Sequence, residues 1–193
     1  MRLRLFVVAV PVLMAVGCGG TSSHTVKDVG ADYRLSEHPE QGLVIVSTRF
    51  STDCKNGENP SAALEYEDSV YMRRSTGVIP VNDLHLAHDF QAPPGHFSVK
   101  ALNEGAYQIR RLSIGHIMPI TKETRTPFEV EAGTAIYLGE VHFKLTNCGP
   151  FPSITTQVTD QWERDSQLLQ QKMKNIRAEE VVKRLISTRT GKR

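Results

Sequence analysis

The stretch Phe90–Leu145, FQAPPGHFSVKALNEGAYQIRRLSIGHIMPITKETRTPFEVEAGTAIYLGEVHFKL, decides the fold. Its apolar residues fall two apart in Phe97, Val99 and Ala101, again in Phe128 and Val130, and again in Tyr137, Gly139, Val141, Phe143 and Leu145. Period two is the signature of strands with one buried and one wet face. Turn residues divide the runs. Pro93-Pro94-Gly95 fits a type II turn with Pro94 and Gly95 at its centre, Asn103-Glu104-Gly105 reads as a reversal, and Ala132-Gly133-Thr134 as another. Between Ala106 and Ile117 the phase flips, since Tyr107 and Ile109 share one parity and Leu112 and Ile114 the other. One extra residue at Arg110-Arg111, a bulge, accounts for the flip.

Upstream, Gly42–Phe50 carries the unbroken run Leu43-Val44-Ile45-Val46, as expected of a central strand covered on both faces. A loop holding Asn56-Gly57 and Asn59-Pro60 follows, then one or two strands within Ala63–Arg74 and a turn at Ser75-Thr76-Gly77. Short strands, regular turns and no intervening helix predict a mainly β chain, an antiparallel β-sandwich over residues 42–158.

The ends have a different character. Arg2 and Arg4 precede a short apolar run from Leu5 to Val16, which reads as a signal peptide over residues 1–17. The run closes on Ala15-Val16-Gly17-Cys18, which resembles the lipobox of bacterial lipoproteins. That resemblance implies cleavage before Cys18, a lipid on its thiol and an acylated new amino terminus. Gly19, where inner-membrane retention would usually show Asp, implies an outer-membrane anchor facing the periplasm. Residues 18–41 are polar and aperiodic, as expected of a flexible tether, with the residues around Tyr33 to Pro39 expected as a partly ordered lead-in to the first strand.

From Asp160 onward there is no Pro and, until Gly191, no Gly, and Trp162, Leu168, Leu169, Met173 and Ile176 recur at helical spacing. Thr159 or Asp160 suits the N-cap, with Glu163 three residues beyond Asp160. Val181, Val182 and Leu185 fit one face of a second helix, so residues 159–188 are expected to form C-terminal helices that pack on the domain or, alternatively, on a partner. Residues 189–193 form a basic tail.

A second resemblance rests on Pro93-Pro94-Gly95-His96-Phe97-Ser98-Val99, Phe128-Glu129-Val130-Glu131-Ala132-Gly133 and Tyr137-Leu138-Gly139-Glu140-Val141. These segments resemble uncharacterised bacterial lipoproteins with a transthyretin-like or carboxypeptidase-regulatory-like sandwich. The shared motifs are structural; they imply a fold and transfer no catalytic residue.

Net charge is +2 and no basic stripe is interleaved with aromatics, which argues against a nucleic-acid partner. With Cys18 lipidated, Cys54 and Cys148 remain as an even pair in an oxidising compartment, a candidate disulfide. His85, His88, Asp89 and His96 have the residue types of a metal site. In an extended segment, however, three-residue spacing sends His85 and His88 to opposite faces, so no metal or other cofactor is expected. His116 and His142 could be neighbours on adjacent strands, and Asp83 with Asp89 could form a carboxylate pair. No phosphate loop, nucleophile elbow or HExxH motif is present. The expected function is a non-catalytic binding or structural lipoprotein that meets the bilayer through acylated Cys18 and has an envelope protein as partner. The alternative is a small metal-binding or hydrolytic periplasmic enzyme built on His85, His88 and Asp89.

Overall fold

The computed structural model describes residues 27–53, 60–69, 77–83, 85–91, 94–115, 120–147 and 153–187. Ten strands, one α-helix and two short 3-10 turns make up these segments. The strands are β1 (Gln41–Thr52), β2 (Ala62–Asp68), β3 (Gly77–Asn82), β4 (Phe90–Gln91), β5 (Pro94–Asn103), β6 (Gly105–Ile114), β7 (Ile120–Val130), β8 (Ala135–Asn147), β9 (Ser153–Thr159) and β10 (Val181–Lys183); α1 is Trp162–Lys172. The chain is mainly β, as its alternation predicts.

The strands form two sheets. The smaller, β3-β2-β6-β7, is antiparallel throughout. The larger runs β10-β8-β1-β5-β4, with β9 also on β8. It corrects the expectation of a purely antiparallel arrangement, because β1 and β8 pair in parallel, as do β10 and β8. β1 therefore sits in the middle, antiparallel to β5 on one side and parallel to β8 on the other. Burial on both faces follows, and Leu43, Val44, Ile45 and Val46 are all at most 1% exposed.

Alternation along β1 divides its residues between two cores. Val44, Val46 and Phe50 join Leu64, Tyr66, Ile79, Leu112 and Phe128 in the core enclosed by the two sheets. Leu43 and Ile45 join Phe97, Val99, Tyr137, Leu169 and Met173 in a second core on the other side, under α1. Each such side chain contributes about 1.5–3 kcal/mol when fully buried. The helix packs on its own chain because Leu169 and Met173 find this apolar sheet face directly beneath them.

Two irregularities aim the side chains. Arg110 is the extra residue of β6, since Glu65 faces Arg111 while Tyr66 faces Ile109. That is the bulge the phase flip predicts. The other interrupts the Tyr137–Leu145 alternation, which reads as one uniform face but is two. Opposite β1 the register steps from Ile45/Tyr137 to Ser47/Glu140. Tyr137 thus faces the helix, whereas Val141, Phe143 and Leu145 face the core between the sheets. Gly139 permits the step with φ +96°, a conformation that other residues adopt only under strain. Beyond it β8 also changes its outer partner, from β10 along Ala135–Tyr137 to β9 along Glu140–Asn147.

Several local expectations differ from the structure. Pro94 and Gly95 are not the centre of a turn; they belong to the ladder, Gly95 opposite Phe90 and Pro94 opposite Gln91, while Pro93 lies outside the described residues. Gly95 is needed for close approach, because a Cβ there would run into the Phe90 ring and the Thr48 carbonyl. The turns at Glu104 and at 131–134 lie where the sequence puts them, but each carries the chain from one sheet to the other.

The segment expected to be a tether is packed from Lys27 onward. Val29 N–H donates to Val99 C=O at 2.9 Å, and Val29, Tyr33 and Leu35 cover the outer core. Three well-spaced apolar residues suffice to dock an otherwise polar stretch. The second C-terminal helix is replaced by a 3-10 turn at Ala178–Glu180 and by β10. β-branched Val181 and Val182 extend along the open edge of β8, and Ile186 then enters the core between the sheets.

Candidate functional site

Cys18, Cys54, Cys148 and His116 lie outside the described residues. Of the other candidates, His142 is on β8, and the rest fall within residues 83–96. His85 is exposed, and its N–H donates to Asp83 Oδ1 at 2.8 Å. His88 and His96 come together, with ring centroids 5.0 Å apart. Asp89 turns elsewhere: Oδ2 accepts the Phe97 N–H at 2.6 Å and Oδ1 pairs with Lys172 Nζ at 2.6 Å. The proposed carboxylate pair is therefore split between two separate tasks. Among the described residues, no three His, Cys, Asp or Glu side chains gather as a metal-binding group.

Among the described residues there is a second, interlocked polar cluster. It lies where the first turns of α1 meet the outer face of the larger sheet. Past Leu43 and Ile45, that face of β1 continues as Ser47, Arg49 and Ser51, opposite Glu140, His142 and Lys144 of β8. From above, α1 lowers Asp165 into the sheet four residues before Leu169, on the same buried stripe.

Asp165 is fully buried and fully bonded. Ser47 Oγ and Tyr137 OH donate to its Oδ2 at 2.5 and 2.6 Å, and Arg164 Nε and Nη2 donate to its Oδ1 at 2.8 and 2.6 Å. Tyr137 OH in turn accepts the Gln161 N–H at 3.2 Å. Burial, reinforced by the Asp165 carboxylate, pushes the Tyr137 phenol above its ordinary range, so it stays a donor. Arg164 reaches Glu140 Oε2 through Nη1 at 2.8 Å, and its guanidinium lies 3.8 Å above the centre of the Phe90 ring. Burial opposes the Arg164 charge, but the bonds to Glu140 and Asp165 outweigh it and hold the group protonated. On the far side of Glu140, Arg49 Nε stands 3.5 Å from Oε1. Two cations and two carboxylates thus interlock with no net charge, the condition under which buried ions are tolerated.

Next to this network is a pair that resembles catalytic machinery. Ser51 Oγ lies 2.7 Å from His142 Nε2, the spacing of a nucleophile and its base. What sits on the other ring nitrogen decides its meaning. There Arg49 Nη2 approaches Nδ1 at 3.1 Å, and a guanidinium can only donate. Nδ1 must accept, so the ring proton resides on Nε2 and points at Ser51. In a working triad a carboxylate holds the proton on Nδ1 and leaves Nε2 free to take the serine proton. Here the tautomer is reversed. Burial first, and the Arg49 charge second, lower the His142 pKa, which further weakens it as a base. The pair acts as a link between β1 and β8.

Sequence signals for this cluster do exist. Ser47, Arg49 and Ser51 extend the period-two face begun by Leu43 and Ile45, and Asp165 shares the helical stripe of Leu169. Only the parallel pairing of β1 with β8 brings them together. A scan against known protein-family models finds no match for this chain, and a search among curated proteins finds none either.

Proposed function

We propose that this protein is a lipid-anchored bacterial envelope protein whose folded part is a non-catalytic binding or structural module. The observation that carries the reading is how the polar cluster is used. Arg164 donates to both Asp165 and Glu140 across the helix–sheet junction, and His142 is held in the tautomer that cannot activate Ser51. Asp89, the carboxylate of the alternative metal site, is engaged by Lys172 and the Phe97 peptide. Contact with a partner, rather than bond-making, is the activity this supports.

The anchor is the acylated Cys18, and outer-membrane placement rests on the residues around it. The transthyretin-like reading is supported by connectivity. Strands β5-β1-β8-β9 line one layer, with a parallel pair at their centre, and β3-β2-β6-β7 line the other. A Cys54–Cys148 disulfide is supported by the neighbouring strand ends. Thr52 pairs with Leu145, and Asp53 N–H donates to Leu145 C=O at 3.1 Å. The two cysteines follow these ends within three residues in sequence.

Crosslinking of the lipidated protein in its own envelope, with elemental analysis of the purified protein, tests the proposal. Recovery of one envelope protein and no stoichiometric metal is the expected result. Zinc or copper at one per chain, lost on His85→Ala and His88→Ala, would overturn it.

A further inference from the structure

Three segments meet where β8 begins: the 3-10 turn Leu35–Glu37, the turn at 131–134 and the loop that leaves α1. Between them lies a cavity of about 890 Å³, in the size range of small-molecule sites. Leu35, Ala135 and Ile176 give it apolar walls, and Arg34, Lys174 and Arg177 line it beside one carboxylate, Glu180. We infer that this cavity binds a small amphipathic anion, whose apolar part lies on Leu35, Ala135 and Ile176 and whose carboxylate or phosphate is held by Arg34, Lys174 and Arg177. The inference goes beyond the envelope-module reading, and neither the lipid anchor nor the envelope partner is needed for it.

Charge sets this cavity apart. Three cations and one acid leave its lining positive, whereas Glu129 and Arg184 balance in a second cavity, and Lys27 and Lys100 balance Asp28 and Asp83 in a third. The three cations do have partners: Arg34 pairs with Glu37, Lys174 with Asp32, and Arg177 with Glu179 and Glu180. Of these acids only Glu180 lines the cavity. Every side chain in these pairs is at least 49% exposed, and surface pairs of that kind contribute little, so an entering anion displaces them easily.

The walls are in place before a ligand arrives. Lys174 N–H donates to Ala31 C=O at 2.9 Å and Asn175 Nδ2 to Asp32 C=O at 3.0 Å, which ties the loop after α1 to the segment before the 3-10 turn. At Gly133 a Cβ would meet no heavy atom within 4 Å, so the turn before β8 leaves the space open. Glu180 is the built-in competitor. Arg177 Nε donates to it at 2.8 Å, and that bond lowers the pKa of its carboxyl, which is therefore charged at neutral pH and opposes a second anion beside Arg177.

The full-length protein in a neutral detergent is titrated with hexanoate, hexyl phosphate, hexanol and hexylamine, and the Ala135 and Ile176 methyl signals are followed by NMR. Both anions should shift these signals saturably, the tighter of the two naming the headgroup, while hexanol and hexylamine should shift them little. Arg34→Gln and Arg177→Gln should each weaken anion binding by about two- to fivefold, the factor that one exposed charge pair supplies. Glu180→Gln removes the competitor and should tighten binding by a similar factor; an unchanged unfolding midpoint shows that each variant is folded. Hexanol or hexylamine binding as tightly as the anions, no saturable shift with either anion, or a Glu180→Gln protein that binds them no more tightly would overturn the assignment.

Discussion

Asp89 and Lys172 form an ion pair that brackets a single residue of an edge strand. The carboxylate takes the Phe97 N–H at 2.6 Å, the ammonium gives to the Phe97 carbonyl at 3.2 Å, and the two charges meet at 2.6 Å. Together they replace the neighbour that β5 lacks there, because β4 pairs only with Pro94 and Gly95. An open edge would otherwise expose these groups to pairing with another chain. The pair also joins the 83–91 loop to the end of α1.

Removing the two partners should therefore have unequal effects. Asp89→Ala orphans a part-buried N–H and is expected to cost about 1.5–3 kcal/mol, the range for hydrogen bonds to charged groups. Lys172→Ala should cost about 1 kcal/mol or less, since its ammonium is partly solvated. Urea unfolding measures both. Amide exchange at Phe97 should accelerate in Asp89→Ala; equal costs, or an unchanged Phe97 amide, would contradict the bracket.

The Asp165 junction makes a sharper prediction. Asp165→Asn removes one of the two carboxylates that Arg164 bonds and leaves the network one positive charge in excess, which is expected to cost about 1.5–3 kcal/mol, the range for hydrogen bonds to charged groups. Arg164→Met in the same chain should recover part of that loss, because Arg49 and Glu140 then balance each other again. A double-mutant cycle by chemical denaturation reads the coupling. Additive costs would mean that the two side chains do not act together.

Two histidines set the pH response. Burial lowers the pKa of both His142 and His96, with Arg49 and His88 respectively adding to it. Each folded-state value lies below the unfolded one of about 6.5, so the unfolded chain binds protons first as pH falls. The stability from the neutral rings is complete above about 6.5 and is lost as pH drops through the folded-state values. Urea midpoints at about pH 7.5 and about pH 5 should show the decrease, and His142→Gln should flatten it. In nitrogen NMR the neutral His142 ring should carry its proton on Nε2. A proton on Nδ1 would revive Ser51 as a nucleophile.

Cys54 and Cys148 supply a fourth test. A bridge between them closes a loop of about 94 residues, worth about 4 kcal/mol through the unfolded state. Non-reducing peptide mapping should recover the linked pair, and reductant should lower the melting temperature. Two free thiols in protein from an oxidising compartment would contradict it.

Much of the frame was legible because it is local. The run Leu43–Val46 announces a strand covered on both faces, and the parity change across Arg110-Arg111 announces a bulge. What depends on distant partners was not. Nothing local tells that β1 and β8 run parallel, so Ser47, Arg49 and Ser51 read as ordinary wet-face residues until Glu140 and His142 stand opposite them. Val181, Val182 and Leu185 fit a helical stripe, yet the unpaired edge of β8 captures the first two as a strand. Pro94-Gly95 carries strong turn chemistry, but the glycine answers to the Phe90 ring, which only the folded hairpin brings near. Asp165 looks like a surface charge until the helix is docked.

An anchored body working by contact is tested most directly by the mass of the amino-terminal peptide of the mature protein isolated from membranes. It should begin at Cys18, with a diacylglyceryl group on the thiol and an acyl chain on the amine. A mature chain recovered from the soluble fraction, beginning elsewhere or carrying an unmodified Cys18, would contradict it.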